Sequence, residues 1–145
     1  MRSVEPLEVF AARVAGVLGM QFMGDRRSGT GEMAYRMRGR TFDDWIGVFV
    51  GPNYFAPEPG ETQAMDGYPV MLDVQCRVRK PDQKEEARLA FEALIQSMPE
   101  VPALLVHQVT MLVAAHLPGT DTHYFGPDVT VDDPDADVWR PWVVG

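Results

Sequence analysis

The chain has 145 residues, 46% hydrophobic and 23% charged, the balance of an ordinary globular domain of a size that forms one core. Its formal net charge of -8 argues against nucleic-acid binding, which needs a dominant basic surface to meet phosphates. The single cysteine, Cys76, rules out an internal disulfide, and no apolar run approaches the ~20 residues that a membrane-spanning helix requires.

Glu5, Glu8 and Arg13 interrupt every apolar run near the start, so no secretory leader is expected and the reading is a cytoplasmic protein. Leu7, Phe10, Ala11, Val14, Val17 and Leu18 then share one face at helical spacing, with Pro6 ahead of them and Gly19 behind. This predicts an amphipathic helix over 6–18. Residues 20–23 are a candidate short strand, and Asp25 to Gly29 read as a turn. From there the period changes to two. Met33, Tyr35 and Met37 alternate with Ala34, Arg36 and Arg38, and after Gly39-Arg40-Thr41 a second strand sets Ile46, Val48 and Val50 opposite Trp45, Gly47 and Phe49.

The connection from Gly51 to Gly67 carries Pro52, Pro57, Pro59 and Gly60 around Tyr54 and Phe55, and is far longer than a hairpin turn needs. Alternation is clearest over 69–78, where Val70, Leu72, Val74, Cys76 and Val78 face one way. One covered face of this kind suits an antiparallel sheet. Pro81 opens a second helix, over 81–97, with Ala87, Ala90, Phe91, Leu94, Ile95 and Met98 as its apolar stripe; Glu85, Glu86, Arg88 and Glu92 are assigned to its solvated side. Pro99 stops it.

Residues 103–117 satisfy both periods, and the β-branched Val106, Val109, Thr110 and Val113 favour a strand. Pro118 to Asp121 signals a turn, after which 122–125 and 129–131 supply a further strand. Residues 132–145 lack a regular pattern and are read as an irregular acidic tail, containing tryptophans, packed on the body. The sum is a single α+β domain in two layers, an antiparallel sheet of four to six strands covered on one face by two helices. The order helix, three strands, helix, two strands is loosely similar to secretion-chaperone-like domains, a likeness of fold that carries no function because no motif accompanies it.

Charge is unevenly spread. Residues 1–50 hold seven Lys/Arg against six Asp/Glu, and residues 101–145 one against six. Arg26, Arg27, Arg36, Arg38 and Arg40 are therefore expected to meet the acidic tail, within the chain or across a dimer. Alternatively the acidic face steers a basic protein partner.

Enzyme signatures are missing: there is no phosphate-binding glycine loop, no Gly-x-Ser-x-Gly and no His-Glu-x-x-His. Cys76 lies on an apolar strand face, which suits packing and not nucleophilic attack. Asp133, Asp135 and Asp137 imitate the start of a calcium loop, but its central glycine and closing glutamate are absent. No metal or cofactor is expected. The preferred reading is a non-catalytic protein-binding module, an immunity-like inhibitor of a basic protein or a small chaperone-like protein, with a homodimer as a further expectation. Its candidate contacts are the aromatic anchors Tyr54, Phe55, Tyr68, Trp139 and Trp142, rimmed by Asp132, Asp133, Asp135 and Asp137. The rival reading is a small-ligand or enzyme site between sheet and helices, with His116 and His123 as acid and base, oriented by Asp121 or Asp43.

Overall fold

The computed structural model describes residues 1–25, 30–55, 59–77 and 80–143. The fold is α+β with antiparallel sheets, and the seven strands among the described residues divide into a sheet of four and a sheet of three. Helix α1, Leu7–Leu18, buries Phe10, Ala11, Val14 and Leu18. Its end is set by Gly19, whose φ of 64° places it in the left-handed region and lets its N–H reach the Ala15 carbonyl.

The first sheet runs in order β1 (Gln21–Asp25), β2 (Met33–Arg38), β3 (Trp45–Pro52) and β4 (Val70–Gln75). Register follows the alternation: Met33, Tyr35 and Met37 lie opposite Val50, Val48 and Ile46, and all six are buried. Between β2 and β3 the chain turns tightly, with the Gly39 N–H bonded to the Asp44 carbonyl at 2.9 Å. A Cβ on Gly39 would stand 2.6 Å from the Phe42 carbonyl oxygen, so the turn requires glycine. Strand β4 is shorter than the predicted 69–78; it closes at Gln75, and Val78 falls outside the described residues.

Helix α2, Gln83–Ser97, belongs to both halves of the molecule. Its Ala90 and Leu94 join α1 and the first sheet in one core, while Phe91 packs on Ala103 and Ala114 of the second sheet. The expected solvated side of this helix is wrong at Glu86, which is fully buried. Its carboxylate accepts the backbone N–H of Arg40 at 2.8 and 3.0 Å, the N–H of Thr41 at 2.7 Å and the Thr41 hydroxyl at 2.7 Å. Those donors compensate the loss of water, as a buried carboxylate demands.

The ambiguous segment 103–117 is two strands, β5 (Ala103–His107) and β6 (Met111–His116). The turn between them was hidden because it lacks the usual glycine or asparagine. Gln108 and Val109 both take positive φ, 51° and 56°, the backbone that a tight hairpin turn demands. A two-residue β7, His123–Tyr124, completes the second sheet in the order β5-β6-β7. The tail is less irregular than expected: a 3-10 turn spans Ala136–Val138 and a short helix, α3, spans Arg140–Val143. Trp139 and Val143 pack with Leu112, Ala115 and Tyr68 in a core of their own.

Two predictions follow from local chemistry. Glu86→Ala leaves three donor groups without their acceptor and is expected to lower stability by about 3 kcal/mol in urea unfolding, with Glu86→Gln intermediate. At the β5–β6 turn, replacing Gln108 by Asn together with Val109→Gly removes left-handed strain from a β-branched residue. The unfolding free energy should rise by about 1 kcal/mol in the same assay.

Candidate functional site

The predicted aromatic anchors separate into two groups. Tyr54 and Phe55 remain exposed, at 55% and 39%, whereas Tyr68 and Trp139 are buried, at 3% and 1%. Tyr54 is nonetheless oriented, because its hydroxyl donates to the Thr30 carbonyl. Tyr68 and Trp139 are therefore removed from the contact surface; they fill the second core because the 64–68 segment folds onto the tail, where the Ala64 N–H meets the Val131 carbonyl at 2.8 Å. Trp142 stays partly exposed, its ring stacked on His123 with centroids 4.0 Å apart.

The histidine pair expected from the hairpin does not converge. His123 pairs in register with Ala115, one residue from His116, and adjacent residues of a strand point to opposite faces. His116 is buried, its Nε2 3.0 Å from the Pro99 carbonyl and its Nδ1 without a hydrogen-bond partner among the described residues. His123 sits instead between Trp142 and the edge of Phe125. Asp121 is exposed, and Asp43 is exposed beside Arg38 at 3.5 Å. Among the described residues this leaves no acid–base set around either imidazole.

Among the described residues, Arg36, Arg38 and Arg40 do not meet the tail within the chain. Arg36 and Arg38 lie over the Trp45 ring, 4.1 and 4.2 Å from its centroid, and Arg40 turns its guanidinium to the Met37 sulfur. Strand alternation is the reason, since Arg36, Arg38 and Trp45 share the outer face of the sheet. Arg26 and Arg27 lie outside the described residues. Of the acidic set, Asp132, Asp135 and Asp137 are exposed and Asp133 is half-buried. Asp133 and Asp135 accept the backbone N–H two residues ahead, and none of the four carries a salt bridge among the described residues. There is likewise no group of three side chains there placed to hold a metal ion.

What sequence reasoning missed is a cleft of about 290 Å³ between the two sheets. One wall is the outer edge of β4 and the other is the outer edge of β5. Ala87, Ala90, Phe91 and Leu94 of α2 form its floor, and Asn53, Phe55, Met65 and Tyr68 of the long connection border it. His107 stands at the β5 end, where burial, helped by the Lys84 charge, holds its pKa below the ordinary histidine value. Met1 stands in the seam: its amino group donates to the Val70 carbonyl at 2.6 Å, and the Val70 N–H returns to the Met1 carbonyl at 3.2 Å. Burial, with a smaller contribution from Arg2, pulls that amino group from 8.0 to about 5, so at neutral pH it is an uncharged donor. The signal available in sequence was the long connection alone; the cleft is made by the way the successive elements β4, α2 and β5 pack with the distant first two residues.

No family model matches this chain, and neither a curated protein nor a solved structure does.

The two tail tryptophans give opposite expectations. Trp139→Ala opens a cavity in the second core and should cost about 4 kcal/mol by chemical denaturation, whereas Trp142→Ala, at the surface, should cost under about 1 kcal/mol.

Proposed function

We propose that the protein is a non-catalytic binding module for another protein. The observation that carries this reading is the apolar cleft between two sheet edges, bordered at its mouth by Phe55 with the exposed Tyr54 beside it in the chain. Partly exposed aromatic rings next to an apolar cavity are the anchors around which protein interfaces are built. Trp142 is a further surface aromatic, while Asp132, Asp133, Asp135 and Asp137 supply negative charge unmatched by a salt bridge among the described residues. Charge of that kind steers a basic partner and sets its orientation more than its affinity. An immunity-like inhibitor and a small chaperone both fit this chemistry. The reading places the protein in the cytoplasm, and a second copy of the chain is one partner to test for; no helix among the described residues is long and apolar enough to cross a membrane.

The His116/His123 alternative loses support from the opposite facing of the two rings, and neither lines the cleft. A small apolar ligand in the cleft remains the competing use of the same volume.

The test is affinity capture from native cells with the wild-type chain and with a Tyr54→Ala, Phe55→Ala double variant. Both side chains are exposed, so the fold should survive. Recovery of a specific partner by the wild type, reduced about tenfold or more in the variant, is the expected result; each good aromatic anchor contributes about 1–2 kcal/mol or more. Equal recovery by both proteins would remove the aromatic connection from the interface.

A further inference from the structure

We propose that the cleft accepts an extended polypeptide segment of the partner as an added β-strand, hydrogen-bonded to β4 and β5 at once. This rests on the protein-binding reading above and specifies its mode. Both walls are terminal strands, one from each sheet, so each presents a ladder edge. Register shows which groups are on offer. The Asn53 N–H bonds to the Pro69 carbonyl at 2.8 Å, and antiparallel pairing alternates, so Met71, Asp73 and Gln75 turn their backbone groups toward β3 while Val70, Leu72 and Val74 turn theirs outward. Val70 exchanges both its bonds with Met1. Leu72 and Val74, further along the same edge, have no such partner among the described residues.

The chain itself demonstrates the width of the slot. Met1 pairs with Val70 of β4, and the next residue, Arg2, donates its N–H to the Pro102 carbonyl at the start of β5, at 2.9 Å. The first two residues thus bond to the β4 edge on one side and, on the other, to Pro102, which leads into β5, and this sets the two backbones two strand spacings apart there, roughly 9.5 Å. The mutual Met1–Val70 exchange is the antiparallel pattern, so a guest continuing along the edge past Leu72 and Val74 would run antiparallel to β4 with its C-terminal end toward Met1. A helix, ~10 Å across, offers no backbone donors or acceptors to such edges and does not fit a slot one strand wide. An extended segment satisfies them and lays every second side chain on the floor of Ala87, Ala90, Phe91 and Leu94. The favoured occupant is therefore about five residues with apolar side chains at alternate positions and no proline where an N–H is needed.

The probe is a phage-displayed library of random nonapeptides, panned on the wild type and on Ala87→Trp, which fills the half-buried floor. Selected peptides should show the alternating apolar pattern and bind the variant at least about tenfold more weakly. On the wild type alone, the best peptide should slow amide exchange at Leu72 and Val74 by about tenfold or more, because a new ladder bond protects them. That measurement keeps the proposal testable even if Ala87→Trp misfolds. Peptides that bind without slowing those two amides would overturn strand addition and leave the protein-binding reading standing. Failure to enrich any peptide would also overturn it, as would a fatty acid found in the cleft by native mass spectrometry with no peptide selected. The protein-binding reading stands or falls separately on the Tyr54/Phe55 capture.

Discussion

A single buried carboxylate fixes the helix on which the rest of the structure is assembled. Glu86 sits in the first turns of α2 and gathers the N–H groups of Arg40 and Thr41 and the Thr41 hydroxyl, at 2.7 to 3.0 Å. A charge taken out of water is tolerated only where such donors replace its hydration. The β2–β3 turn supplies them because Gly39 lets the chain bend close enough to expose two successive N–H groups. Helix and hairpin are thereby joined by charge-assisted bonds, and the orientation of α2 follows. Its other faces can then serve Ala90 and Leu94 to one core and Phe91 to another.

That shared helix explains why two small sheets coexist without merging. Each has an apolar layer to bury, the first under α1 and α2 and the second under the 64–68 segment and the tail. The helix spans the gap, and Tyr124 strengthens the connection by donating its hydroxyl to Glu92, which also holds Arg88. At the other end the N-terminal residues close the seam. Arg2 bonds to the Gly67 carbonyl at 2.8 Å and the Val143 carbonyl at 3.3 Å, and its guanidinium lies 5.2 Å from the Tyr68 ring centroid. The seam is filled there and open further along, where the cleft begins. A sheet edge left open in a monomer is an aggregation hazard unless something shields it. Here two edges face each other across a narrow slot, which admits a strand while hindering the broad edge-to-edge contact that drives aggregation.

The aromatic residues divide along the same physical line. Tyr68 and Trp139 have polar groups that find backbone carbonyls, Val143 at 3.3 Å and Asp133 at 3.4 Å, so their large rings can be fully covered. Tyr54 satisfies its hydroxyl on Thr30 with its ring outside, and Phe55 has nothing to satisfy. The difference between a buried aromatic staple and an exposed ring is thus one of neighbours, which residue type does not reveal.

Helices α1 and α2 and five of the seven strands among the described residues were legible in the sequence as separate elements, because a solvated face and a covered face imprint the periods 3.6 and 2 on the order of residues. Helix α1 and strands β2, β3 and β4 sit where Phe10, Tyr35, Val48 and Val70 placed them, and the antiparallel α+β class follows from their single apolar faces. The break within 103–117 escaped notice because Gln108 and Val109 adopt left-handed backbone that neither residue advertises. Tertiary structure alone decided the rest. A lone glutamate on a helix looks solvated until a distant turn brings it donors, as happened to Glu86. His116 and His123 look like neighbours until a register of one residue turns them apart. The cleft needs β4, α2, β5 and the first two residues together, and a local period records neither how successive elements pack nor a contact as distant in sequence as that of Met1 with Val70.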